Sequence, residues 1–219
     1  MLWLIPAAPF AASLIILSLS KARRKSAVAL AVIGEVAALA LSIVAFAVNA
    51  ANTRLPRRSE FHLVHVRRTT RLRLGFVLDP LAAAMLVMIA LVGLCIFVFS
   101  IGYMAEDKNF TRFFAYLSFF SGAMLGLVIA NSLLLLFIFW ELVGLASYLL
   151  IGFWIERPSA AAAAKKAFIT TRIGDMGFFL GMLWLYGRSG TLLFTMAETV
   201  ASKVPVWPCS ARAPRSLRC

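Results

Sequence analysis

Residues 132–154 read SLLLLFIFWELVGLASYLLIGFW, 23 residues with a single charged side chain, Glu141. A transmembrane helix needs about 20 consecutive apolar residues, so this stretch predicts a membrane span. Glu141 is its tenth residue and falls near the middle of a helix about 34 Å long at ~1.5 Å per residue. An ionisable group at that depth is costly and marks a candidate functional site. Gly144, Leu145 and Tyr148 follow at i+3, i+4 and i+7 on the same face. Two roles fit a carboxyl placed this way. It can load and release a proton, or it can serve as hydrogen-bonding glue between helices.

The whole chain has the same character. Its 219 residues are 62% hydrophobic and only 14% charged, with a mean hydropathy of +0.91. Soluble domains are about half apolar and about a quarter charged, so a soluble fold is excluded, and disorder with it. The net charge of +13 would on its own suggest nucleic acid. In so apolar a chain it reads instead as basic loops flanking membrane helices, and no nucleic-acid partner is expected. Cys95, Cys209 and Cys219 form no C-x-x-C pair, so neither a metal site nor a disulfide framework is signalled. No haem, flavin, nucleotide or quinone motif is present, and no catalytic residue or bound cofactor is expected on this chain.

Working outward, five further segments have the length and composition of spans: about Leu2–Ser20, Ser26–Val48, Leu81–Tyr103, Arg112–Ala130 and Lys165–Tyr186. The first lacks the basic start and cleavage site of a signal peptide. Asp79-Pro80 and Pro158-Ser159 are helix-entry signals. Between spans two and three, residues 49–75 hold seven arginines, and Phe61–Val66 and Arg71–Leu74 tend to alternate, with Thr69-Thr70 near a turn. This predicts a short surface β-hairpin, the alternative being an irregular loop. From about Ser202 the composition changes abruptly, and the end reads as a disordered tail or a chain cut or read out of frame. The expected fold class is therefore an all-α membrane protein with six transmembrane helices. Its parts are two N-terminal helices (1–48), a polar hairpin loop (49–79), four further helices (80–187) and a tail (188–219).

Charge does not orient the protein. Loops one, three and five carry nine Lys/Arg and the other side twelve, so the positive-inside rule is nearly balanced. The compact basic loop Lys21–Lys25 favours an outside N-terminus, and six spans bring both ends to that side.

The sixth span carries a polar stripe. Lys165 and Arg172 are seven apart and Asp175 follows three later, which puts all three on one face. Arg172 and Asp175 can pair within the helix and lower each other's burial cost, whether for function or for structure. Lys166 is about 100° round from Lys165, near the membrane edge, where lysines snorkel. Glu35 sits in the second span beside Gly34 with no basic partner in that helix and reads as a pairing or packing residue. His62 and His65 read as solvated surface residues, and the phenylalanines from Phe97 to Phe139 as lipid-facing and core residues.

Two motifs carry a resemblance. One is Asn131–Leu136 leading into Phe139-Trp140-Glu141-Leu142-Val143-Gly144; the other is Lys165-Lys166-Ala167-Phe168 followed by Thr170-Thr171-Arg172-Ile173-Gly174-Asp175. With Leu78–Leu81, Phe110–Tyr116 and Gly190–Phe194, they resemble the antiporter-like membrane subunits of respiratory complex I, most closely the L-type subunit of NADH-quinone oxidoreductase. The related Mrp-type cation/proton antiporter chains share them. The resemblance spans about Gly75 to Phe194, fits the first two helices by layout only, and leaves out the tail.

What it implies is the N-terminal part of the antiporter-like fold, in which a fifth-helix glutamate, matched by Glu141, pairs with a lysine of a broken seventh helix during proton translocation. Lys166, Arg172 and Asp175 fall on the family's sixth-helix polar positions. NADH, FMN, iron–sulfur clusters and quinone would belong to partner subunits, the partners being other complex I membrane subunits and the bilayer, in a bacterial inner membrane. The seventh helix, its lysine and the second inverted repeat are not in this sequence, so a truncated copy, inactive alone, is expected. The other readings are an Mrp-type antiporter subunit and an inert fragment. Glu35 has no counterpart in the resemblance.

Overall fold

The computed structural model describes residues 2–19, 23–51, 57–66, 70–189 and 192–194, with the backbone alone over 57–66 and 70–74. Among the described residues there are six helices: α1 (Leu4–Ser18), α2 (Arg24–Ala51), α3 (Pro80–Tyr103), α4 (Phe110–Val128), α5 (Leu133–Ile151) and α6 (Pro158–Ser189). Four of them, α2 to α5, are long and apolar enough to cross a membrane. The chain is thus an all-α, multi-pass membrane protein. Two of the expected spans have a different character. α1 is apolar but has 15 residues, about 22 Å at ~1.5 Å per residue, short of a hydrocarbon core of about 30 Å. α6 has 32 residues, ample length, but Arg172 and Asp175 at its centre dilute its apolar character.

Helix entries follow the local sequence. Pro80 opens α3, where its missing N–H is not needed. Ser132 caps α5, its hydroxyl accepting from the Leu135 N–H at 3.1 Å. Between α2 and α3, strands β1 (Arg57–Val66) and β2 (Thr70–Leu78) pair antiparallel, with Arg57 opposite Leu78 and an irregularity between His62 and Val64. The side chains of His62 and His65, and residues 195–219, lie outside the described residues.

α4 is the hub, packed against α1, α2, α3 and α5. Its buried face is built of small residues, among them Ala115, Ser118, Ser121, Gly122, Ala123 and Gly126. Lipid tails are as apolar as leucine, so membrane helices associate through close packing of small residues and interhelical hydrogen bonds. Gly126 shows how close: any Cβ there would overlap the Phe139 ring of α5. Two apolar clusters flank this hub. One gathers Ile16, Phe97, Phe110 and Phe114, and the other Ile5, Leu78, Leu86, Leu125 and Ile129.

α6 packs mainly on α5, and backbone bonds at the α4–α5 connection fix where the two meet. The Asn131 N–H donates to the Gly75 carbonyl at 2.8 Å, and the Val77 N–H to that of Ile129 at 2.9 Å. On the other side, the Leu133 N–H donates to the Leu192 carbonyl at 2.8 Å and the Phe194 N–H to that of Asn131 at 3.1 Å. The connection is thus bridged to β2 through Phe76 and Ala130 and to the segment after α6 through Ser132 and Leu193. It pins the end of α6 beside the start of α5, so the two helices run antiparallel with their midpoints level.

Candidate functional site

Level midpoints bring the membrane-depth charges together. Glu141 is the ninth of 19 residues in α5, and Arg172 and Asp175 bracket the centre of α6. Arg172 Nη1 forms an ion pair with Glu141 Oε2, and Nη2 donates to the Glu141 carbonyl at 3.4 Å. The same Nη1 lies 3.8 Å from Asp175 Oδ2. Asp175 is held from α5 as well, its Oδ1 accepting from Trp140 Nε1 at 2.9 Å. The guanidinium also lies over the Phe168 ring, 4.6 Å from its centroid, a favourable cation–π placement.

Gly144 makes room for this group. A Cβ there would stand 3.0 Å from Arg172 Nη2, so the glycine one turn after Glu141 lets the guanidinium reach across. Beside the cluster, a cavity of about 530 Å³ runs between the two helices, lined by Trp140, Ser147, Tyr148, Phe168, Thr171 and Asp175 among others. Two carboxyls and one guanidinium carry an odd charge. With both acids ionised the cluster is singly negative, and one added proton makes it neutral.

The sequence-derived residues divide accordingly. Glu141, Arg172 and Asp175 are brought into one cluster. Lys165 lines a different cavity, with Arg112 and Tyr148. Lys166 is exposed and has no ion pair among the described residues; its backbone carbonyl accepts from the Thr170 hydroxyl at 2.8 Å. The Glu141–Arg172 bridge was not read from the sequence, which paired Arg172 with Asp175 inside α6. The one local signal for it is Gly144, a space on the Glu141 face.

A second buried acid lies elsewhere. Glu35 on α2 is completely buried and accepts from the Ser121 hydroxyl of α4 at 2.7 Å. Its Oε1 has no hydrogen-bond partner among the described residues and fills the space a Cβ on Gly93 would need, 2.5 Å away. Glu35 is thus a joint between α2, α3 and α4. Replacing Ser121 by alanine removes its one hydrogen-bond donor and should lower stability by about 1–3 kcal/mol. The double change Glu35→Leu with Ser121→Ala should recover most of that loss, since it removes both polar partners. Thermal unfolding in detergent micelles checks this, and a double variant weaker than Ser121→Ala alone would contradict it. Among the described residues, no group of His, Cys, Asp or Glu could hold a metal ion.

Two family models match parts of this chain. Residues 130–210 match the family model for the transmembrane region of NADH:quinone oxidoreductase/Mrp antiporter proteins. Residues 67–114 match the model for the N-terminus of chain 5 of NADH-ubiquinone oxidoreductase, complex I. The first match continues past Phe194, where the sequence resemblance was expected to stop. Similar proteins include chloroplastic NAD(P)H-quinone oxidoreductase subunit 5 of Cryptomeria japonica, 55% identical over 123 residues, covering 56% of this chain and 17% of that protein. The corresponding protein of Chlorokybus atmophyticus is 39% identical over 211 residues, 92% of this chain and 31% of that protein. The chain thus spans less than a third of the length of these relatives. In fold, it resembles a chain of an archaeal membrane-bound sulfane sulfur reductase, a respiratory membrane complex, at a TM-score of 0.73 and 16% identity, covering 91% of this chain and 40% of that one. With a polar cluster at mid-membrane and both family models aligned in order along it, the chain is similar to the antiporter-like membrane subunits shared by NADH:quinone oxidoreductases and Mrp antiporters.

Proposed function

We propose that this chain is part of a proton-translocating membrane subunit of an NAD(P)H:quinone oxidoreductase, with Glu141, Arg172 and Asp175 as its proton-handling group. The observation that carries the reading is the Glu141–Arg172–Asp175 cluster at mid-membrane, two carboxyls set around one guanidinium. Lys166 enters the proposal through the family resemblance alone, as a basic group nearer the membrane edge. α1 and α6 are proposed to cross the membrane with the other four helices, packed as they are on α4 and α5. NADH, FMN, iron–sulfur clusters and quinone would lie on partner subunits, with other membrane subunits alongside. The location proposed is an energy-converting membrane. The relatives named above are chloroplastic and lend no support to the bacterial inner membrane expected from the sequence.

The alternative within the family is a cation/proton antiporter subunit. Deleting the gene separates the two. Membrane vesicles from the deletion strain should lose most acidification driven by quinone reduction and keep sodium/proton exchange. Loss of exchange with quinone-driven acidification intact would favour the antiporter.

A further inference from the structure

At the membrane face where α4 begins, α5 ends and α6 begins, these three helices enclose a cavity of about 390 Å³, within the usual size of a small-ligand site. Its polar lining is one-sided in charge. Arg112, in the first turn of α4, and Lys165, two turns into α6, both face it, with Asn109, Tyr116 and Tyr148 beside them. Neither cation has an ion-pair or hydrogen-bond partner among the described residues. Of the acids on the adjoining loops, Glu106, Asp107 and Glu156, none lines the cavity, and Asp107 accepts from Trp154 Nε1 and from the Asn109 N–H, each at 2.8 Å. The carbonyls at the end of α5 are taken as well, that of Tyr148 accepting from the Gly152 N–H at 2.9 Å.

Two uncompensated cations on one cavity repel each other. Arg112 also sits at the positive end of the α4 dipole, where a basic residue is unfavourable. An anion in the cavity relieves both costs and gains two tyrosine hydroxyls as donors. Apolar walls from Leu149, Phe153 and Ile155 suit the start of a hydrocarbon chain below it. Basic pockets between transmembrane helices at a membrane face bind anionic headgroups in this way.

We propose that Arg112 and Lys165 form a binding site for a phosphate-type anion, supplied by the headgroup of an anionic phospholipid. The site tethers α6, which packs mainly on α5, to α4. It does not depend on the proton-handling reading, and its test measures bound lipid rather than proton movement.

The test is native mass spectrometry of the 219-residue chain in detergent, equilibrated with phosphatidylglycerol, phosphatidylcholine or inorganic phosphate. The unmodified chain should retain one phosphatidylglycerol more than the Arg112→Gln/Lys165→Gln double variant. Affinity for it should fall about thirtyfold in that variant, as expected for two basic residues removed from an anionic surface. Phosphatidylcholine should be held equally by both. Arg112→Lys should keep the lipid, and Lys108→Gln, on the neighbouring loop, should leave binding unchanged. If the double variant does not fold, the exposed single change Lys165→Gln should still weaken phosphatidylglycerol about fivefold. Retention of inorganic phosphate in place of lipid would keep the anion site and name free phosphate as its source. Equal phosphatidylglycerol retention by parent and variants would overturn the proposal.

Discussion

Replacing Glu141 by glutamine should leave the subunit assembled and lower coupled proton translocation by about tenfold or more, within the roughly 10²–10⁴-fold that a positioned proton-transfer group contributes. Glutamine matches the carboxyl in shape and can still accept from Arg172, so packing between α5 and α6 survives. What disappears is the ability to change charge. Glu141→Asp keeps the carboxyl at shorter reach and should retain part of the activity. The measurement is acidification of vesicles containing the assembled complex, alongside quinone reduction. A purely structural Glu141 gives the opposite order, with glutamine mild and aspartate harmful because the shorter side chain no longer meets Arg172.

The second large effect is expected at Arg172. It is the cation between two carboxylates, ion-paired with Glu141 and 3.8 Å from Asp175. Arg172→Gln leaves both acids facing each other without a counter-charge. Breaking a buried pair by removing one partner costs roughly 3–5 kcal/mol. The side chains of Arg172 and Glu141 are 29% and 25% exposed, so about 2–3 kcal/mol is expected here, still a large share of a typical stability of 5–15 kcal/mol. Asp175→Asn should cost less, because Arg172 keeps Glu141 and Trp140 keeps a hydrogen-bond acceptor. Adding Glu141→Gln to Arg172→Gln should restore part of the loss. Thermal unfolding of the four proteins in micelles gives the double-mutant cycle, and strictly additive losses would show that α5 and α6 are not coupled through this bridge.

These two predictions rest on different sources of information. That Glu141 lies at mid-membrane is a property of the sequence. Twenty-three residues with one charge leave a bilayer helix little freedom, and counting along the helix places the carboxyl. The class of the protein, the positions of α2 to α5, the helix entry at Asp79-Pro80 and the polar stripe of α6 follow from equally local rules of length, hydropathy and helix-entry chemistry. The family resemblance was likewise carried by short motifs on adjacent helices.

Which groups meet is a different matter. Within α6 the i,i+3 spacing pairs Arg172 with Asp175, and that contact is present. The stronger partner of Arg172 is Glu141, 31 residues away, and no periodicity within one helix reports the rotation of its neighbour. That rotation depends on backbone bonds from residues 75, 77, 192 and 194 to the α4–α5 connection, and on a glycine at 144 that leaves space for a guanidinium. The same reason hid the partner of Glu35: Ser121 is 86 residues away and becomes a hydrogen-bond donor to it only once α4 is packed as the hub. The sequence alone determined the membrane, the helices and the depth of each charge, because these follow from interactions of the chain with its solvent and with itself over one or two turns. The tertiary structure decided which charges neutralise one another and where a cavity is left with two unpaired cations, because those depend on how small residues let separate helices approach.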